Sequence, residues 1–136
     1  MTKNSQVLWA PLLAAGLSGL GSAALAQPSL LDPTVTQVAA GGYHSCALTT
    51  DGGVKCWGSN GAGGLGDGTY TKRPNPVDVP GLTSGVAYVS AGNLHTCALT
   101  TAGGVKCWGY NGYGQLGDGT KTNRTTAVDV AGLTSG

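Results

Sequence analysis

The chain has 136 residues, with 25 Gly, no Phe, 10% charged residues and a net charge of +1. This length allows one domain at most, and abundant Gly suits short strands joined by tight turns, because Gly adopts positive φ at no steric cost. After residue 26 no stretch combines helix formers with a 3.6-residue apolar period, so we predict an all-β fold.

The first 26 residues are typical of an export signal. Lys3 precedes an apolar run over residues 7–26, and Ala24-Leu25-Ala26 has the small-x-small form that signal peptidase cleaves. We predict a mature protein that begins at Gln27 and is secreted, periplasmic or held at the cell surface. The alternative is retention of the run as a membrane anchor, because it is long enough to cross a bilayer.

The charge after residue 26 argues against two classes of partner. Six Lys or Arg side chains balance six Asp side chains there. A net charge of zero supplies neither the counterion release that dominates nucleic-acid binding nor the attraction of polybasic segments to anionic lipid. We therefore predict no nucleic-acid partner, and no membrane contact beyond export.

An internal repeat organises the rest of the chain. After a lead-in at residues 27–34, one 51-residue unit occurs twice, as residues 35–85 and 86–136. The two copies align without a gap and share 35 of 51 residues. A period of this size is typical of propeller blades or solenoid repeats.

Each copy contains a predicted β-hairpin. In the first copy, an antiparallel pairing of Cys46 with Cys56 also pairs Leu48 with Val54. This register leaves Gly52 at the tip, where a three-residue hairpin loop favours a left-handed residue.

The second copy repeats this hairpin, with Cys97 opposite Cys107 and the same apolar pair two residues further on. Flanking segments such as residues 35–40 and 77–79 are predicted to add outer strands. Four short strands per copy is the number expected for a propeller blade.

A set of Gly, His, Cys and Trp residues is common to both copies at fixed spacing. The first copy carries Ala40-Gly41, His44, Ala47-Leu48, Asp51-Gly52, Cys56-Trp57-Gly58-x-Asn60 and Gly63-x-Leu65-Gly66-x-Gly68, and the pattern recurs from Ala91 to Gly119. It resembles the repeats of the regulator of chromosome condensation family, in their exported bacterial form. The resemblance covers residues 35–136 and implies two blades of about four antiparallel strands each, an incomplete part of a seven-bladed β-propeller.

The four cysteines are predicted to form one disulfide in each copy, Cys46 with Cys56 and Cys97 with Cys107. Opposed positions in an antiparallel pair meet the Cβ spacing that a disulfide requires, and exported proteins mature where disulfides persist. Two alternatives stay open at this point, namely zinc binding with help from His44 or a pair of free buried thiols. We predict no cofactor and no metal site.

Three further features are assigned structural roles. His44 and Ser45 are adjacent in a strand and point to opposite faces, so we predict that His44 bonds a neighbouring backbone group and activates no nucleophile. Residues 61–69 lack the spacing of a phosphate loop or a calcium nonapeptide, and are predicted to form tight turns. Trp57 and Trp108 are predicted to pack between blades.

The absence of an enzymatic constellation in the sequence favours a non-enzymatic binding protein. The resemblance implies a scaffold for partners, so we predict an exported protein–protein binding module whose partner is unknown. Positions at which the copies differ are the predicted contacts, above all Tyr70, Tyr110 and Tyr113, because Tyr offers large contact area at low entropy cost. The resemblance also implies an alternative, guanine-nucleotide exchange on a small GTPase, against which the export signal argues.

The number of copies carries a further expectation. A propeller blade packs each of its faces against a neighbour, so two blades leave two faces uncovered. We predict that the chain is a fragment of a longer array of repeats, or that it associates with itself through these faces.

Overall fold

The computed structural model describes residues 34–135, so the predicted signal peptide and nearly all of the lead-in lie outside the described residues. The described part is all-β, as predicted, and its eight strands are β1 (Val35–Ala40), β2 (His44–Thr49), β3 (Val54–Gly58), β4 (Arg73–Asp78), β5 (Val86–Ala91), β6 (His95–Thr100), β7 (Val105–Gly109) and β8 (Arg124–Asp129). Among residues 34–135 no helix is long and apolar enough to cross a bilayer.

The strands form two separate sheets of four. The order in each sheet follows the chain, β1-β2-β3-β4 and then β5-β6-β7-β8, and every neighbouring pair is antiparallel. We call the first sheet with its loops blade 1 and the second blade 2. The prediction of two four-stranded antiparallel blades is confirmed.

The hairpin register agrees with the prediction in both blades. Cys46 is opposite Cys56 and Leu48 is opposite Val54, and the same pairs recur between β6 and β7. Gly52 at the tip has a φ of 80°, in the left-handed region where a side chain would be strained.

The outermost strand of blade 1 differs from the prediction. The segment predicted to form this strand, residues 77–79, includes only its last two residues, because β4 starts at Arg73 and stops at Asp78. Pro74 and Pro76 lie within this strand and cannot donate backbone hydrogen bonds, which an edge strand tolerates because one of its sides is unpaired. Val79 lies just beyond β4, where it is fully buried and its amide donates to the carbonyl of Val54 over 3.1 Å.

The hydrophobic core lies between the two blades. One buried cluster joins a face of blade 1 to a face of blade 2, through residues that include Cys46, Leu48 and Val54 on one side and Val86, Val89 and Trp108 on the other. The opposite face of each blade has no covering sheet among residues 34–135. Within this part of the chain, the core therefore uses one face of each blade, and the other face is not covered by a second sheet.

Candidate functional site

A chain of hydrogen bonds crosses from blade 1 to blade 2 at the edge of this core. The Nε2 atom of His44 lies 2.8 Å from the hydroxyl oxygen of Thr96, and that hydroxyl donates to the carbonyl of Gly64 over 2.8 Å. The indole nitrogen of Trp108 donates to the same carbonyl over 2.9 Å. Because the hydroxyl hydrogen of Thr96 is directed at Gly64, its oxygen accepts from His44, which therefore carries a hydrogen on Nε2.

His44 thus makes a structural hydrogen bond, as predicted, but the predicted partner is wrong. The ring bonds a side chain 52 residues away in the other blade, and not a neighbouring backbone group. Burial lowers the pKa of His44, and the charge of His95 lowers it further, which favours the neutral ring. Thr96 is fully buried and donates to a carbonyl, so the His44–Thr96 pair has the arrangement of a structural contact and not of a base with its nucleophile.

A second crossing, which sequence reasoning missed, involves Gln37 in β1. Its side-chain amide donates to the carbonyl of Val89 over 2.5 Å and accepts from the amide of Val89 over 3.0 Å. The two bonds pair a side chain with the backbone of β5, in place of a strand ladder. The only signal in the sequence is that Gln37 is replaced by Tyr88 in the second copy, which cannot make this pair of bonds.

One buried asparagine holds the loop between the third and fourth strands of each blade. The side-chain nitrogen of Asn60 donates to the carbonyls of Thr69 (2.8 Å) and Thr71 (3.1 Å), and its oxygen accepts from the amide of Leu65 (3.0 Å). Asn111 makes the equivalent bonds in blade 2. No role for this Asn was predicted from the sequence, although it recurs at the same position of both copies, ahead of an Asp-Gly-Thr segment.

The carboxylates of these loops are used inside the fold. Asp67 pairs with Arg73 at 2.8 Å, and Asp118 pairs with Arg124 at 2.7 Å. Hydrogen bonds from Thr120 and then Arg124 hold the pKa of Asp118 far below its ordinary value. Burial alone would raise the pKa of Asp67, but the bonds from Thr69 and Arg73 outweigh burial and lower it.

The structure contains both predicted disulfides. Cys46 is bonded to Cys56 and Cys97 to Cys107, with Cα atoms 4.1 Å apart in each pair. All four sulfur atoms are engaged in this way, so neither zinc ligation nor free thiols describes them. Each bond closes the hairpin between the second and third strands of its blade.

Two of the three predicted contact tyrosines lie together. The rings of Tyr110 and Tyr113 meet edge to face, with centroids 6.0 Å apart and planes at 70°. Tyr113 is 85% exposed, whereas Tyr110 is half-buried with its hydroxyl end folded over Gly112. Tyr70 is 57% exposed in the corresponding loop of blade 1 and is not part of the pair.

Comparison with known proteins agrees with the repeat architecture. The family description "Regulator of chromosome condensation (RCC1) repeat" matches residues 35–63 and 86–115, and a second model of the same repeat matches residues 51–99. The human "Probable E3 ubiquitin-protein ligase HERC3" is 48% identical over 84 residues, which are 61% of this chain and 8% of HERC3. The Arabidopsis thaliana "RCC1 domain-containing protein RUG3, mitochondrial" is 34% identical over 100 residues, which are 73% of this chain and 22% of RUG3.

Solved structures show the same fold. Human WBSCR16 matches 72% of this chain with a TM-score of 0.66 and 32% identity, and the match is 25% of the WBSCR16 chain. Yeast RCC1 (Prp20), solved bound to Kap60, matches 73% of this chain with a TM-score of 0.64 and 20% identity, and the match is again 25% of that chain. This chain therefore spans a quarter or less of the relatives and structures compared. It belongs to the regulator of chromosome condensation (RCC1) repeat family, and its two sheets are about two repeats of a β-propeller.

Proposed function

We propose that this chain is exported from the cytoplasm and that its two blades are a non-enzymatic scaffold for binding another protein. The observation that carries the proposal is the Tyr110–Tyr113 pair. Tyr113 is 85% exposed, although the loop that presents it is fixed by the fully buried Asn111. An aromatic side chain on an ordered loop offers contact area that costs little entropy on binding.

The use of the reactive side chains supports a non-enzymatic role. His44 is engaged with Thr96, Asp67 with Arg73, and all four cysteines with each other. Each of these groups satisfies a partner within the fold. Catalysis would require such a group to reach a substrate.

The relatives are consistent with binding as a use of this fold. Yeast RCC1 (Prp20) was solved in complex with Kap60, and a second structure of Prp20p was solved together with its binding properties to Gsp1p and histones. Those partners belong to the yeast protein, and the ligase named in HERC3 matches this chain over 8% of its length. Guanine-nucleotide exchange stays an implication of the resemblance alone.

The disulfides support the proposal of export, because such bonds persist in oxidising compartments and are rare in the cytosol. Fractionation of the source cells followed by N-terminal sequencing tests it. We expect oxidised protein outside the cytoplasm that begins at Gln27. Protein that keeps residues 7–26 would indicate an anchor, and cytoplasmic protein with reduced thiols would favour the exchange alternative.

The binding proposal is tested by giving the loop of each blade the residues that the other blade has at two positions. Tyr110→Ser with Tyr113→Ala gives blade 2 the side chains that blade 1 has at Ser59 and Ala62. The partner is first isolated by cross-linking to the exported protein, and its affinity is then measured by calorimetry. We expect affinity to fall by about tenfold or more, because exposed aromatic anchors dominate interface energies.

The matched control is Ser59→Tyr with Ala62→Tyr, which adds the same rings to blade 1. We expect this variant to leave affinity unchanged, and both variants to melt like the parent. Equal affinity of the parent and the Tyr110/Tyr113 variant would remove this pair from the binding site.

A further inference from the structure

Blade 1 has an open cavity of about 250 Å³ beside its outer strand. Gly58, Lys72, Arg73 and Pro74 line it. The repeat places Gly109, Asn123, Arg124 and Thr125 at the corresponding positions of blade 2. The same place in blade 2 is filled, and what fills it is part of blade 1.

The segment that fills it is the glycine pair Gly63-Gly64 from the β3–β4 loop. A Cβ atom on Gly63 would lie 2.9 Å from the carbonyl oxygen of Arg124, and one on Gly109 would lie 3.0 Å from the Cα of Gly64. The neighbouring Gly68 amide donates to the carbonyl of Thr125 over 2.9 Å. Blade 2 therefore holds a socket for a glycine loop, and the cavity of blade 1 is the same socket without an occupant among residues 34–135.

The donors around the filled socket recur around the open one. In blade 2, Thr96 and Trp108 donate to the carbonyl of Gly64. Their counterparts beside the open socket are Ser45, which also carries a hydroxyl, and Trp57. Both are only half-buried. Because Ser45 pairs with Trp57 in the same register as Thr96 with Trp108, the two residues occupy the strand positions from which, in blade 2, the carbonyl of Gly64 receives its hydrogen bonds.

The matching half lies on the opposite face of the same chain. Gly114 and Gln115 occupy the loop positions of Gly63 and Gly64, and both are half-buried where the glycine pair of blade 1 is buried. Large apolar residues on both free faces are open as well, and Leu99 of blade 2 is 41% exposed. Val38 is 62% exposed against 0% for its counterpart Val89.

From this internal template we propose that a second copy of the chain docks its Gly114-Gln115 loop into the open socket of blade 1. The blade 2 face of one copy then covers the blade 1 face of the next, as blade 1 covers blade 2 within each copy. Such a contact is head-to-tail, so association continues until a ring closes or a filament grows.

One residue weakens the fit. A Cβ atom on Gly64 would lie 3.2 Å from the carbonyl oxygen of Leu94, which is tighter than ordinary contact. Gln115 carries a side chain at this position, and its oxygen accepts from the amide of Tyr113 over 2.9 Å. We therefore expect Gln115→Gly to strengthen association.

The test is sedimentation velocity of the full oxidised chain over a wide concentration range. We expect association that rises with concentration and is stronger for Gln115→Gly. Pro74→Trp fills the socket with an indole and should weaken association by about tenfold or more, because extra volume in a fitted contact forces its side chains and backbone apart. Asn75→Trp is the control, because it adds the same ring at the next exposed residue of β4, which does not line the cavity.

Thermal melts of all four proteins establish that each is folded. A monomer at every concentration, for the parent and Gln115→Gly alike, would overturn the proposal, and would leave a further repeat or an unrelated partner as the occupant. Equal association of Pro74→Trp and Asn75→Trp would also overturn it, because the contact would then not use the socket.

Discussion

Blade 1 and blade 2 have nearly the same sequence and the same strand register, yet they bury different residues. Leu48 is 5% exposed in blade 1, whereas Leu99 at the same position of blade 2 is 41% exposed. The tryptophans behave in the opposite way, because Trp108 is fully buried and Trp57 is half-buried. The side chain alone does not decide its environment; the presence of a neighbouring blade does.

This difference distinguishes the contributions to stability that a single blade makes from those that need a neighbouring blade. The hairpin disulfide and the buried loop asparagine occur in both blades. The His44–Thr96 bond and the burial of Trp108 occur only where the blades meet. Substitutions at matched positions can therefore measure the two contributions separately.

The largest effect is expected for the tryptophans. Trp108→Ala should lower the free energy of unfolding by about 3–5 kcal/mol, the usual cost of removing a large buried aromatic side chain. Trp57→Ala should cost less than half as much, because Trp57 is already partly solvated. Urea unfolding at low protein concentration measures both, and equal losses would show that the blade interface does not exist in solution.

Removal of either disulfide should lower the free energy of unfolding by a similar amount. Replacing Cys46 and Cys56 with Ala, or Cys97 and Cys107 with Ala, opens hairpin loops of equal length. The chain-entropy model gives about 2.8 kcal/mol for a closed loop of about 11 residues, so we expect similar losses in the two variants. A difference above about 1 kcal/mol would mean that native packing, and not loop closure, dominates these bonds.

Removal of an inter-blade hydrogen bond should again destabilise the protein more than the matched change in blade 1, but by less than the tryptophan substitutions do. Thr96→Val keeps the volume but leaves the Nε2 hydrogen of His44 without its acceptor, at a cost of about 1–3 kcal/mol. Thr96→Ser keeps the hydroxyl and should recover most of the loss. Ser45→Ala, at the matched position of blade 1, should change stability by less than about 0.5 kcal/mol. A loss for Ser45→Ala as large as that for Thr96→Val would contradict the assignment.

The smallest effect is a pH dependence. The fold holds the pKa of His44 below its ordinary value of 6.5, so the unfolded chain takes up the proton first as pH falls. Stability should be full above pH 6.5 and decline as pH drops from there toward the lowered pKa.

His44→Gln should flatten this decline more than His95→Gln, because His44 is the more buried of the two rings. Asp67 and Asp118, whose pKa values lie below the ordinary 3.8, should add a second decline at pH values below it. Thermal melts across the pH range measure both windows. A first decline unchanged by His44→Gln would assign it to another group.

Much of each blade could be predicted from the sequence, because a hairpin is determined by local pairing. The register of Cys46 with Cys56 follows from spacing alone, and the repeat supplies an independent second example. The outer strand was predicted too short because Pro74 and Pro76 disrupt the pattern of a paired strand, whereas an edge strand accepts them.

The contacts between blades could not be predicted in the same way. His44 and Thr96 are 52 residues apart, and nothing in either copy indicates which neighbour a face receives. Trp57 and Trp108 lie in identical Lys-Cys-Trp-Gly segments, so their different burial depends on what packs beside them. The pairing of Tyr110 with Tyr113 depends on a loop conformation set by Asn111, a residue to which the sequence assigned no role.

The central claim, that a neighbouring blade and not the sequence decides burial, is tested most directly by the two tryptophans as fluorescent probes. Two single-tryptophan chains are needed, each with Trp9 and one of Trp57 and Trp108 replaced by Phe. At low protein concentration, acrylamide should quench Trp57 readily and leave Trp108, which is fully buried, strongly shielded. Equal quenching of the two residues would contradict the account.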